Sequence, residues 1–244
     1  MFNEEDIFVV TGASSGIGQG IAIKLNELGA SVIAIGRDTN GLSATKLFCQ
    51  NRDIVFLEEK DLTDDIEGLP LYVKELREKY GKLRGLVCCA GVDCPKPLKA
   101  IELLSARMIF DINYYVPLFL AKGFIDKRNN IGEGASLVFI ASSASVYPER
   151  GQAIYAGSKA ALVASAKSIS KEVSMRKIRI NCVSPAYVDT PMYRKNLENI
   201  GADLSNYALG VGHPSDVANM VSFLMSNQAR WITGQNYILD GGAF

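Results

Sequence analysis

The ten residues Val9–Gly18, VVTGASSGIG, constrain this chain more than any other stretch. A short apolar run, Ile7–Val10, passes straight into a turn with glycines at 12, 16 and 18, then into a helical stretch that runs through Leu28 and stops at Gly29. A brief β-rich run reads as a strand buried on both faces, and the longer stretch as a helix closed by glycine. Glycines at such a junction permit a tight turn, close approach of backbone to a pyrophosphate, and near packing of helix on strand. The helix N-terminus adds unpaired N–H groups and the positive end of its dipole. Gly12, Ser14, Ser15, Gly16, Ile17 and Gly18 are therefore the candidate phosphate cradle of a dinucleotide site.

The alternation continues to the end of the chain. Ser31–Ile35, Ile54–Glu58, Leu86–Cys89, Leu137–Ala141, Arg179–Val183 and Asn236–Leu239 read as further strands. Helices are predicted up to Tyr80, over Leu103–Lys127, over Gln152–Met175 and over Pro214–Met225, with Pro214 in a first turn. Strands alternating with helices predict an α/β fold: a doubly wound, mostly parallel sheet of about seven strands, Rossmann-like, with helices on both faces. No linker, repeat or low-complexity tract divides residues 1–244, so one domain is expected. The one long excursion, residues 186–212, is of a length usually found in functional lids.

Composition narrows the function. Lys+Arg and Asp+Glu are equal at 26 each, so no basic excess points to nucleic acid. The longest apolar stretch, near Ile112–Ile125, is too short to span a bilayer and contains Pro117 and Lys122, so no membrane association is expected. The opening MFNEEDIFVV has neither the basic nor the apolar region of a signal peptide. Five cysteines without a secretion signal read as reduced thiols in a cytoplasmic protein. Cys88 and Cys89, adjacent on a strand, point to opposite faces and cannot easily share a metal ion, so no metal site is expected. The single histidine, His213, precedes Pro214 at a helix start and reads as a cap or loop residue.

Within Ile154–Ala161, IYAGSKAA, Tyr155 and Lys159 stand one helical turn apart among small residues. Alone, such a pair could be an ordinary surface neighbourhood. Its context is an ordered series of motifs: TGASSGIG at the first turn, Asp61 in DLT, CCAG at Cys88–Gly91, Asn113, IASSASVYPERGQAIYAGSK, NCVSPAYVDTPM and ITGQNYILDGG. Together they resemble the single-domain branch of the short-chain dehydrogenase/reductase family from Thr11 to Gly242. The G-x-x-x-G-x-G spacing is that family's, not the commoner G-x-G-x-x-G. Two positions depart from its pattern: Cys88-Cys89 stand where the family usually has paired asparagines, and Ala186 where a glycine follows Pro185.

The resemblance implies hydride transfer between a nicotinamide and a ketone or secondary alcohol, with Asn113, Ser142, Tyr155 and Lys159 catalytic. It places the cofactor on the glycine turn, Arg37, Asp61, Leu62, Ala90, Gly91, Tyr155, Lys159, Pro185, Val188 and Thr190. Tyr155 would be the acid–base group. Lowering a phenol from about 10 to about 7 needs roughly 4 kcal/mol, and an ammonium about 4–5 Å away supplies roughly 3–4 kcal/mol at an effective dielectric near 20. Lys159 is expected to provide it. Ser142 would hold the substrate oxygen, with Ser143 and Ser145 as rivals, and Asn113 would hold a water linked to the lysine.

Gly36 stands where NAD-using relatives commonly place an acid, and Arg37 can pair with a 2′-phosphate, so NADP(H) is expected over NAD(H), with Asp38 as a complication. Length, motif set and ending most resemble 3-oxoacyl-carrier-protein reductases. A carrier-linked thioester is therefore weighed evenly against a small polar alcohol or sugar, and Lys127-Arg128 and Arg176-Lys177 are the expected contacts for an acidic carrier. A non-catalytic nucleotide sensor is the alternative of another class, but sensors usually lose the tyrosine or lysine. A nucleotide-sugar epimerase would need a second substrate region for which there is no room. The helices Leu103–Lys127 and Gln152–Met175 imply a homotetramer or homodimer, with Ile109, Phe110, Tyr114, Val116 and Leu118 as surplus apolar residues.

Overall fold

In chain order the elements are β1 (Ile7–Thr11), α1 (Gly16–Glu27), β2 (Ser31–Gly36), α2 (Thr39–Phe48), β3 (Val55–Glu59), α3 (Leu69–Tyr80) and β4 (Leu83–Cys88). Then come α4 (Leu103–Phe110), a π-helical turn over Asp111–Tyr115, α5 (Val116–Phe124), β5 (Ser136–Ile140) and α6 (Ala153–Val173). β6 (Arg179–Pro185), α7 (Pro191–Ile200), α8 (Pro214–Met225) and β7 (Asn236–Leu239) follow. The computed structural model describes residues 1–200 and 207–243. Residues 201–206 of the expected lid lie outside them; α7 occupies part of the rest.

The strands form one all-parallel sheet in the order β3-β2-β1-β4-β5-β6-β7. β1, β2, β5 and β6 are buried at every residue, which is why the first three read as largely apolar runs, while β6 also buries Arg179, Asn181 and Ser184. On one face Leu69 and Val73 of α3, Leu120 and Phe124 of α5, and Leu162 and Ala166 of α6 pack on Val9, Leu86 and Leu137. On the other, Ile21 and Leu25 of α1 meet Val217 and Val221 of α8 over Phe8, Val10 and Val138. Strand order reverses between β1 and β4, so a crevice opens beyond the carboxyl ends of these two strands. His213 caps α8: its Nδ1 accepts from the Ser215 amide at 3.3 Å, while its own amide donates to Asp216 Oδ2 at 2.7 Å.

Three elements differ from the sequence expectation. α2 had no apolar signal because only Leu42 and Thr45 of its ten residues are buried. It starts at Asp38, whose carboxylate accepts the Asn40 amide at 3.1 Å. The expected helix over 103–127 is broken by the π-helical turn. Pro117 has no N–H to offer the Asn113 carbonyl four residues back, so the ladder widens there. β4 begins three residues before its expected start, because Arg84 and Gly85 interrupt the apolar run in sequence while Gly85 packs against the Phe8 ring.

Candidate active site

The crevice is a cleft of about 680 Å³. Its walls include every residue expected at the site except Asn113. At its centre the β1–α1 turn lies against the end of β4. Gly12, at φ 68°, leaves no room for a side chain: a Cβ there would stand 2.9 Å from the Ala90 backbone. Thr11 binds the two loops together, its Oγ1 accepting the Cys89 and Ala90 amides at 3.0 and 3.1 Å. That pairing was invisible in sequence, since it depends on β4 lying beside β1. Ser15 precedes α1 without a side-chain cap, so the first-turn N–H groups face the cleft available to an anion. An uncapped helix start in the cleft wall suits the pyrophosphate of a dinucleotide.

At one end of the cleft, Arg37 Nη1 donates to Asp61 Oδ2 at 3.0 Å. The Thr63 hydroxyl and amide, and then Arg37, hold the Asp61 carboxyl below the usual carboxylate range. Gly36 is packed from the side of the phosphate turn: a Cβ would lie 3.3 Å from Ser14 Cβ and Oγ. Asp38, the expected complication, spends a carboxylate oxygen on the cap of α2.

At the other end, Ser142 and Tyr155 meet, the serine hydroxyl in hydrogen-bonding reach of the phenol. Ser142 closes β5 and also accepts the Ala144 amide at 3.2 Å. Ser143 is buried in the cleft wall, whereas Ser145 is no part of that wall. Lys159 is 4% exposed; its Nζ donates to the Ile140 carbonyl at 2.9 Å and lies 5.9 Å from the Tyr155 ring centroid.

Burial decides the protonation states. It pushes the Tyr155 phenol well above its ordinary value, against the opposing pull of Ser142, and it brings Lys159 down to about 8. Desolvation thus favours the protonated phenol at neutral pH.

Asn113 lies behind the cleft, fully buried. Its Oδ1 accepts the Val92 amide and its Nδ2 donates to the Val92 carbonyl, each at 2.9 Å, with Ser158 Oγ at 3.2 Å. The carboxamide thus braces the loop after β4. Burial raises the thiols of Cys88, Cys89 and Cys182, the latter two to about 12, so they are inert apolar fillers. All five cysteines are free. No group of three or more His, Cys, Asp or Glu able to hold a metal occurs among the described residues. Asp93 and Glu149 lie in the wall with Tyr187, Tyr193 and Tyr207 of the lid; that the three rings pack together was not readable from sequence.

Comparison with known proteins agrees with this geometry. A family model described as enoyl-(acyl carrier protein) reductase matches residues 12–243. The chain is 34% identical over 238 residues to the 3-oxoacyl-[acyl-carrier-protein] reductase FabG of Rickettsia conorii, covering 96% of this chain and 95% of that protein. It is 29% identical over 255 residues to FabG of Thermotoga maritima, covering 98% of each. Among solved structures, a short-chain dehydrogenase/reductase of the glucose/ribitol dehydrogenase type from Brucella melitensis superposes with TM-score 0.91 at 27% identity, covering 99% of this chain and 98% of that one. A blue fluorescent protein from a metagenomic library, in complex with NADPH, superposes with TM-score 0.89 at 25% identity, covering 98% of each chain.

Proposed function

Because this chain belongs to the short-chain dehydrogenase/reductase family, whose members are oxidoreductases of CH–OH and C=O groups, we propose that it reduces a ketone to a secondary alcohol with NADPH, a 3-oxoacyl thioester being the leading substrate. The observation that carries this reading is the meeting of Ser142, Tyr155 and Lys159 at one end of a cleft whose middle is a glycine-lined anion cradle. The nicotinamide, when bound, supplies the hydride to the carbonyl carbon. Ser142 Oγ donates to the substrate oxygen and orients it toward Tyr155. The phenol, kept protonated by burial, gives its proton to that oxygen as charge develops there. Lys159 holds the neighbouring backbone through Ile140 and offers the phenolate a nearby positive charge. Asn113 keeps the loop carrying Ala90 and Gly91 in place. Absorbance at the nicotinamide band with acetoacetyl-carrier protein and with acetoacetyl-pantetheine tests the reading; absence of turnover on any oxo substrate would sink it.

Carrier docking would use Arg128 and Arg176, which precede β5 and β6 at the amino ends of the strands, whereas the cleft lies beyond the carboxyl ends. The structure ties the first to Asp126 and the second, through Nη1, to the Ile125 carbonyl at 2.6 Å, while both remain exposed. Arg128→Glu and Arg176→Glu are expected to weaken turnover of carrier-linked substrate and flatten its salt dependence while sparing the free thioester. Equal effects on both substrates would move the assignment to small polar alcohols or sugars, a reading favoured by Asp93 and Glu149 in the cleft wall.

NADP(H) is preferred over NAD(H) on this reading, because Arg37 is exposed and tied only by a surface pair to Asp61. Such a pair is worth about 0–1 kcal/mol, so turning the guanidinium onto a 2′-phosphate is cheap. Arg37→Ala should weaken NADPH about 10-fold or more and NADH hardly at all. Equal losses, or tighter NADH binding by the unaltered protein in calorimetry, would overturn the preference.

A homotetramer or homodimer would form through α4 and α5 and through α6. Of the residues expected there, Ile109 and Val116 are in the core. The apolar side chains left for a partner include Leu103 and Leu104, 67% and 80% exposed, with Tyr115 nearby in sequence. Leu103→Glu with Leu104→Glu should give a smaller species in sedimentation; a monomeric parent protein would refute the assembly. No helix among the described residues is long and apolar enough to cross a membrane.

A further inference from the structure

Tyr187 joins the lid to the loop that leads into α6. Its carbonyl accepts the Gly212 amide at 3.0 Å, which closes the root of the lid. Its ring lies 5.4 Å from that of Tyr193 in α7 and 5.5 Å from that of Tyr207, where the lid returns. Its hydroxyl leaves the lid altogether and donates to Glu149 Oε2 at 2.8 Å. Burial, and then the Glu149 carboxylate, push this phenol above its ordinary value, so it stays a donor. On the other side of the bond, the Glu149 amide donates to Gln152 Oε1 at 3.0 Å and the Glu149 carbonyl accepts the Gln152 amide at 3.3 Å. Gln152 precedes α6, is 8% exposed and accepts the Ala156 amide on its carbonyl at 2.7 Å. A continuous set of contacts thus runs from α7 through Tyr187, Glu149 and Gln152 to the first turn of the helix that carries Tyr155.

Carboxylate, hydroxyl and rings are all engaged with one another, so their work is within the protein and not on a ligand. What they hold in place is a wall of the reacting end: Thr190, Pro191, Met192 and Tyr193 line the cleft that Ser142 and Tyr155 also line. We propose that Tyr187 and Glu149 are positioning residues whose hydrogen bond fastens the lid to the start of α6 and so retains the substrate in front of Tyr155. This rests on the carbonyl reduction proposed above and assigns the control of substrate retention at that same site. A fastened lid shields the reacting end from water without touching the reacting atoms. Loss of the bond therefore acts on retention, read in KM, and not on proton transfer, read in kcat.

Tyr187→Phe keeps the ring and removes the hydroxyl. With NADPH and the best oxo substrate, its KM should rise about 3- to 10-fold, with kcat kept or raised. Glu149→Ala should match it, whereas Glu149→Gln, which retains an acceptor oxygen, should stay within about 2-fold of the parent. Tyr187→Phe combined with Glu149→Ala should be no worse than either alone, because both remove one bond. A second readout is independent of turnover: hydrogen exchange at the Tyr193 and Arg194 amides, which start α7 by bonding to Thr190. It should quicken in Tyr187→Phe and not in Glu149→Gln. A parental KM in Tyr187→Phe, additive losses in the double variant, or a fall in kcat at unchanged KM would overturn the inference. So would Glu149→Gln as damaging as Glu149→Ala, which would assign the charge of Glu149 to the substrate. If no oxo substrate is turned over, the reductase reading is lost, and unaltered exchange in Tyr187→Phe then removes this one as well.

Discussion

Tyr155→Phe is expected to lower kcat by about 100- to 10,000-fold, the range supplied by a positioned general acid, while NADPH affinity stays within about 3-fold of the parent, since less than one weak hydrogen bond is removed. The ring keeps its volume and its packing on α6; only the phenolic proton is lost. Burial holds that proton on the oxygen at neutral pH, and the charge of Asp93 strengthens the hold, so the resting group is an acid suited to reduction. Ser142 opposes the shift by hydrogen-bonding the phenol, which eases loss of the proton once the substrate oxygen demands it. Turnover is measured by NADPH oxidation on the best oxo substrate, and cofactor affinity by fluorescence titration. A variant with near-parental kcat would remove Tyr155 from the chemistry, and one that no longer binds NADPH would assign the ring to the cofactor.

How much of this was legible in sequence follows from which contacts are local. The strands could be read because parallel strands buried on both faces are mostly apolar, as Val32–Ile35 and Leu137–Ile140 are. The glycine turn could be read because its demands are made by adjacent residues. Tyr155 and Lys159 could be paired because one helical turn separates them. α2 could not, because a helix that buries little carries almost no periodicity, and Thr39–Phe48 contains Gly41 as well. The break at Asn113 was foreshadowed by Pro117, but the apolar residues on either side masked it. Thr11 needed knowledge of strand order, and the cluster of Tyr187, Tyr193 and Tyr207 needed the course of the lid. The burial around Tyr155 was hidden for a related reason. Spacing supplies the distance between two groups on one helix, whereas desolvation is set by everything else that surrounds them.

The same desolvation makes Lys159 expensive to keep, and this gives an expected result on stability as well as on activity. Its folded-state value of about 8 lies below the ordinary 10.5, so below pH 8 the native protein holds an ammonium it would rather lose. The difference corresponds to about 3 kcal/mol, against which the Ile140 hydrogen bond returns about 1–3 kcal/mol. Lys159→Met fills the same space without a charge. The variant without NADPH should therefore be more stable at pH 7 by up to about 2 kcal/mol, the part of that cost the hydrogen bond does not return, read as a higher urea midpoint. Between pH 8 and 10.5 the unfolded parent still binds the lysine proton that its native state has released, so the parent gains stability with rising pH relative to the variant and the gap closes. Buried thiols and phenols titrate in the same window, but they are common to both proteins and drop out of the difference. Activity runs the other way: the variant should lose NADPH affinity and turnover together, because the ammonium borders both Tyr155 and the cleft floor at Gly91. Saturating NADPH should then reverse the order of the two midpoints, since ligand stabilises only the protein that binds it. A variant less stable than the parent at pH 7, or a gap that does not narrow from pH 8 upward, would mean that Lys159 is solvated or paired in the native protein and is no burden to the fold.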